Sequence, residues 1–143
     1  MQTMQTMQTI KDEYVLYFDG CSKGNPGRAG AGAVIYKNDI ELYSEAKLVG
    51  ERETNNVAEY TALVMGLAAA LNHPEQIKHL LVKGDSDLVI KQMNGLYKVK
   101  SPNMLGLFTQ AKTLATMFTT ISFTHVYRQF NKRADELANS VIL

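Results

Sequence analysis

Four acidic residues, Asp19, Glu59, Asp85 and Asp135, hold the chemistry this sequence can be read for. Each has an ordinary explanation when taken alone. Asp19-Gly20 can make a turn, Asp85 can cap a helix, and Glu59 or Asp135 can sit in solvent near a positive helix end. Taken together they say more. Carboxylates held close repel one another and raise each other's affinity for protons, which is costly unless divalent cations neutralise them. Carboxylate oxygens are also the ligands that hard Mg²⁺ prefers.

Whether the four can meet depends on the elements that carry them. The aromatic and β-branched run YVLYF, residues 14–18, predicts a buried strand that stops at Asp19-Gly20. The glycine-dense CSKGNPGRAGAG predicts a loop, then a strand over 31–36, a turn at Lys37-Asn38-Asp39 and a third strand over 41–48. Val57, Tyr60, Thr61, Val64, Leu67, Ala68 and Leu71 recur at helical spacing, with Glu59 in the first turn and Asn72-His73-Pro74 as the stop. HLLVKGD predicts a fourth strand ending at Asp85, and a helix over 86–93 follows, closed by Asn94-Gly95. Pro102-Asn103 opens a helix to about residue 118, ISFTHVY is a fifth strand, and Asn131 caps a last helix, to about 141, bearing Asp135 near its start. In open α/β sheets ligands gather beyond the carboxyl ends of strands, so all four acids could face one crevice.

The whole chain sets the frame for this reading. Its 143 residues suit one domain of ordinary size, and 45% hydrophobic with 20% charged residues is a globular balance, not a disordered one. The single Cys21 cannot pair within the chain, and no Cys or His residues stand at zinc-ligand spacing. MQTMQTMQT lacks the basic start and apolar run of a signal peptide, and no stretch is long enough to span a bilayer. The expectation is a cytoplasmic, monomeric protein, with residues 1–10 a disordered leader and 11–143 the folded domain. A net charge of +1 means that any nucleic-acid partner must be met by a local basic surface.

The four acids also stand in recognisable contexts: Asp19 in YFDGCSKGNPG, Glu59 in TNNVAEY, Asp85 in KGDSDLVI and Asp135 in RQFNKRADELA. In order, spacing and context these segments, from about residue 14 to 141, resemble the ribonuclease H family, type 1, in its short form. The resemblance implies an α/β fold with a five-stranded mixed sheet in order 3-2-1-4-5 and helices on both sides. It also implies Mg²⁺- or Mn²⁺-dependent hydrolysis of the RNA strand of RNA/DNA hybrids, leaving 5′-phosphate and 3′-hydroxyl ends. Two ions about 3.5–4 Å apart can activate an attacking water and stabilise the leaving oxygen. Asp19 is the candidate to bridge them.

A hybrid differs from DNA by the 2′-hydroxyl of one strand, which short polar side chains can detect in the minor groove. Asn25, Asn55 and Asn56 match family positions with that role, although Asn-Pro-Gly makes a turn on its own. Arg52 and Thr54 match the family's pocket for a phosphate of the DNA strand, where a guanidinium fork and a hydroxyl suit phosphate oxygens. Asn103 either completes that pocket or caps its helix. Lys23, Arg28, Lys98, Lys100, Arg128, Lys132 and Arg133 are expected to scatter basic charge around the crevice.

Two departures from the better-known bacterial form stand out. Between Gly95 and Asn103 lies only LYKVKSP, so the basic, tryptophan-containing protrusion is missing, and the chain has no tryptophan. The loop after the fifth strand, residues 126–131, has no histidine; Arg128 is there instead and could meet phosphate. His125 reads as structural, His73 and His79 as surface or helix-end residues, and Cys21 as a small buried thiol. The other readings left open are a binding module without turnover, a retroelement nuclease domain, and a relaxed specificity that admits double-stranded RNA.

Overall fold

The computed structural model describes residues 11–143; the expected leader, residues 1–10, lies outside the described residues. In chain order the elements are β1 (Tyr14–Lys23), β2 (Gly27–Lys37), β3 (Ile40–Glu53), α1 (Asn55–Asn72), β4 (His79–Gly84) and α2 (Asp87–Met93). They continue with α3 (Pro102–Ala115), β5 (Thr120–His125), a 3-10 turn (Arg128–Phe130) and α4 (Lys132–Ser140). The strands form one sheet in order β3-β2-β1-β4-β5. β1, β2 and β3 pair antiparallel, whereas β4 runs parallel to β1 and to β5. The expected mixed sheet and its order are therefore present.

The first hairpins depart from expectation. β1 does not stop at Asp19; it continues to Lys23, with Asp19 opposite Gly32 and Cys21 opposite Gly30 on β2. Most of the stretch expected as a loop is strand, because β2 begins at Gly27 and only three turn residues separate it from β1. The reason lies across the sheet. A Cβ on Gly30 would sit 2.2 Å from the carbonyl oxygen of Ala138, and one on Gly32 would sit 2.4 Å from that of Ala134. Glycine here clears space for α4 rather than breaking the strand. The turn at Asn38-Asp39 is as expected, with both residues at positive φ, 50° and 68°, the backbone that matches strand twist in a tight hairpin.

Successive residues on a strand point to opposite faces, so Gly20 faces α1 while Asp19 and Gly32 face α4. Helices consequently cover both sides of β1 and β2. On the α1 face, Leu16, Phe18, Ile35, Leu63, Leu67, Leu80 and Val82 are essentially inaccessible to solvent, each contributing about 1.5–3 kcal/mol by burial. Leu16 packs into the space left by Gly66 on α1. Tyr60 of α1 meets the Phe108 ring of α3 edge-on, with centroids 6.2 Å apart, and donates its hydroxyl to buried Gln92 of α2 at 2.6 Å. The same helices that close the core thus lock α1 and α2, and with them Glu59 and the turn at Asp85.

Candidate active site

The parallel pairing of β1 with β4 ends at Phe18–Gly84, and the next residues along the two strands are Asp19 and Asp85. Where the strands part, the sheet opens into a crevice of about 460 Å³. All four acids line it, together with Gly20, Cys21, Asn55, Asn56, Ser86, Arg128 and Asn139. Asp19, Glu59 and Asp85 each offer a carboxylate oxygen, and the three atoms lie within 4.8 Å of one another. Asp135 faces the crevice from the first turn of α4.

Each acid is held by a specific local device. Glu59 is not in the first turn of α1 but in its second, on the side against β1, and is only 6% exposed. Its Oε1 accepts the Gly20 N–H at 3.0 Å, a bond that needs the helix almost touching the strand. A Cβ on Gly20 would sit 2.2 Å from the carbonyl carbon of Ala58, so glycine is required there. Asp85 is not the cap of α2. That place belongs to Ser86, whose hydroxyl accepts the Val89 N–H at 3.3 Å and leaves the Asp85 carboxylate to the crevice. Asp135 Oδ1 accepts Nδ2 of Asn139 at 3.0 Å, one helical turn on.

The electrostatics are those of a crowded anionic cage. Burial pushes the Asp19 carboxyl well above the usual carboxylate range, and the neighbouring Glu59 charge adds to the push. Burial raises Glu59 as well, while bonds from Asp19 and Gly20 and the positive charge of Arg128 act against the rise. Glu59 Oε2 is buried without a hydrogen-bond partner. An orphaned carboxylate oxygen in a cluster of carboxylates is satisfied by a cation or a proton, and hard divalent ions take such oxygen ligands. The residues present therefore fit a divalent metal.

The expected substrate residues divide into two groups. Asn55 and Asn56 line the crevice, whereas Asn25 does not line it but is tied to Asn55: its Oδ1 accepts the Asn55 N–H at 2.9 Å. Asn55 Oδ1 in turn accepts from Ser22, from both N–H and hydroxyl at 2.9 Å, which fastens the β1–β2 turn to the start of α1. Arg128 also lines the crevice. Arg52, Thr54 and Asn103 do not line it. Thr54 caps α1, accepting the Val57 N–H at 3.2 Å, and Arg52 is exposed near the end of β3. Asn103 is exposed inside the first turn of α3, whose cap position is Ser101, so the capping alternative does not hold.

The basic scatter is corrected in part. Arg28 is paired with Glu51 at 2.7 Å, and Arg133 bonds Glu41 at 2.9 Å and Glu136 at 2.8 Å. Lys132 and Arg133 line a separate cavity with Tyr17, Tyr36 and Lys83. Cys21 is half-buried at the crevice wall and not enclosed in the core. His125 ends β5 and meets the Tyr127 ring edge-on, His79 is exposed and bonded to Thr120, and His73 ends α1. Sequence reasoning missed Gly20, Asn139 and the bonds of Asn131, whose side chain does not cap α4 as expected but reaches the Phe18 carbonyl and Asp85. Of these, only Asn139 left a signal, its four-residue spacing from Asp135.

A family model described as reverse transcriptase-like matches residues 17–141. A ribonuclease H of Chromobacterium violaceum is 33% identical over 146 residues, covering 92% of this chain and 95% of its own length. The chain belongs to the ribonuclease H family. The bifunctional protein Rv2228c of Mycobacterium tuberculosis is 43% identical over 129 residues. This ribonuclease H-family chain spans 35% of the length of that mycobacterial relative. The solved N-terminal ribonuclease H domain of Rv2228c superposes with a TM-score of 0.86 at 42% identity, over 92% of this chain and 94% of that one. LC11-RNase H1, solved in complex with an RNA/DNA hybrid, superposes with a TM-score of 0.83 at 34% identity, over 90% and 95%.

Proposed function

We propose that this protein is an endoribonuclease that hydrolyses the RNA strand of RNA/DNA hybrids and leaves 5′-phosphate and 3′-hydroxyl ends. The observation that carries the reading is the trio Asp19, Glu59 and Asp85, with oxygens within 4.8 Å of one another, in which Glu59 also has a buried oxygen without a hydrogen-bond partner. The likeness to a ribonuclease H1 solved with a hybrid supports the choice of substrate.

Asp19, Glu59, Asp85 and Asp135 would hold two Mg²⁺ or Mn²⁺ ions. When bound, such ions supply a water nucleophile at neutral pH and stabilise the charge on the leaving 3′ oxygen. The chain's own groups do the rest. Gly20 fixes the Glu59 carboxylate through its N–H, and Asn139 fixes Asp135. Asn55 and Asn56 place short amides beside the acids, with Asn25 bonded to the Asn55 backbone, and all three are assigned to the 2′-hydroxyls that mark the RNA strand. Arg128 brings a positive charge into the crevice for the phosphate being cut. Arg52, Thr54 and Asn103 are assigned to a phosphate of the DNA strand, outside the crevice.

Residues 11–143 act in this reading as one nuclease unit, a monomer working in the cytoplasm, where a lone thiol stays reduced. No helix among the described residues is long and apolar enough to cross a membrane.

The test is cleavage of end-labelled RNA/DNA hybrid, double-stranded RNA and DNA with Mg²⁺ or Mn²⁺. The wild type should cut the RNA strand of the hybrid, and Asp19→Asn and Asp85→Asn should be inactive while folded. A wild type that leaves every substrate intact with either metal sinks the enzyme reading. Variants that cut normally sink the assignment of the site.

A further inference from the structure

Asn131 stands at the cap position of α4, yet its side chain makes no capping hydrogen bond. It is 1% exposed, and its Nδ2 donates to the Phe18 carbonyl at 2.9 Å and to Asp85 Oδ2 at 3.1 Å. Its Oδ1 is buried without a partner. A side chain that forgoes a cap worth about 1 kcal/mol and leaves an acceptor unsatisfied is held in place by the two bonds it does make.

Those two bonds fall at the fork of the sheet. Phe18 is the last residue of β1 paired with β4, and its partner Gly84 directly precedes Asp85. The amide therefore sits between the strand that carries Asp19 and the turn that carries Asp85. Its backbone reaches the third element, because the Asn131 carbonyl accepts the Asp135 N–H at 3.1 Å. One residue thus touches β1, the β4–α2 turn and α4, each of which bears an acid of the crevice.

We infer that Asn131 is a positioning residue, whose amide clamps the Asp85 carboxylate against β1 so that the acids keep one spacing for divalent cations. The inference rests on the metal-site reading proposed above. An amide suits the task because it donates two hydrogen bonds without adding charge to a crowded anionic site. With Nδ2 bound to one Asp85 oxygen, repulsion from Asp19 and Glu59 is opposed and the carboxylate keeps a single orientation. Donors to metal-binding side chains act in this way, and their removal costs about 10–100-fold in metal affinity or activity.

The test is calorimetric titration of Mn²⁺ into the wild type, Asn131→Ala, Asp85→Asn and the double variant, with thermal unfolding and hybrid kcat and KM measured in parallel. Asn131→Ala should weaken Mn²⁺ binding by about 10–100-fold and lower kcat with KM unchanged. In the Asp85→Asn background the same change should cost no further Mn²⁺ affinity. Where Asn131→Ala does not fold, Asn131→Ser, which keeps a shorter donor, should show the same loss in milder form. A folded Asn131 variant that binds Mn²⁺ like the wild type, or losses that simply add in the double variant, overturns the clamp. A wild type that binds no Mn²⁺ overturns the metal-site reading itself, and the clamp with it.

Discussion

Gly20 and Glu59 are joined by a hydrogen bond from strand to helix, N–H to Oε1 at 3.0 Å, at a point where the backbones of β1 and α1 all but touch. The contact fixes one oxygen of a buried carboxylate and leaves the other without a hydrogen-bond partner, in a residue whose carboxylate lies close to those of Asp19 and Asp85. Glu59 can reach the crevice only because residue 20 lacks a side chain.

Gly20→Ala should therefore damage both fold and site. The new methyl would meet backbone atoms of Ala58 and Glu59 at 2.2–2.4 Å, which cannot rotate away as a side chain could. Loss of about 1–3 kcal/mol or more is expected in urea unfolding, with hybrid cleavage falling further than stability because Glu59 is displaced. Near-wild-type unfolding would show that α1 can back away from β1 freely.

The pH dependence of metal-free stability follows from the raised Asp19 and Glu59 carboxyls. Because both shifts are upward, the folded protein keeps protons that the unfolded chain gives up above about pH 4. This contribution to stability is complete below that pH and is lost as pH rises through the folded values. Surface carboxylates such as Glu41 and Glu75, whose affinity for protons is lowered by Arg133 and Lys37, act in the opposite sense. The difference between wild type and Asp19→Asn isolates the cluster. In chelator, Tm of the wild type should fall relative to the variant between roughly pH 5 and 8, and Mg²⁺ should restore it most at the upper end. Parallel pH profiles for the two proteins would refute the cluster's role.

Gly32→Ala probes the opposite face of the sheet. Its methyl would sit 2.4 Å from the Ala134 carbonyl oxygen, so α4 must lift and carry Asp135 with it. Stability should drop by about 1–3 kcal/mol, and cleavage should fall by more than the Tm shift accounts for. Intact activity in a destabilised variant would mean that Asp135 tolerates displacement.

Asn55→Ala removes the acceptor for Ser22 that fastens the β1–β2 turn to α1. If this rim reads the RNA strand, KM for hybrid should rise by about fivefold, the equivalent of roughly 1 kcal/mol, with kcat less affected. Initial-rate kinetics on one hybrid settle it; a pure kcat defect would place Asn55 with the acids instead.

The elements that were legible in advance are those whose own residues state their period or turn. The spacing from Val57 to Leu71 announced α1, positive-φ Asn38-Asp39 made the expected hairpin, and HLLVKG made β4. Local rules failed at β2, where glycines that ordinarily break strands serve as clearance for a helix more than a hundred residues away in sequence. They failed again at Asn131, whose type and position spell a cap but whose amide is drawn 113 residues back to Phe18.

What the sequence determined by itself was the chemistry available: four acids in recognisable contexts, short amides near Glu59, and an arginine in the loop after the fifth strand. Only the tertiary structure decided which oxygens meet, that Glu59 reaches the crevice through the gap at Gly20, and that Asn131 ties β1 to Asp85. The reason is physical. Residue type and spacing govern local conformation, whereas the approach of carboxylates that repel one another is imposed by packing of helices on both faces of a sheet.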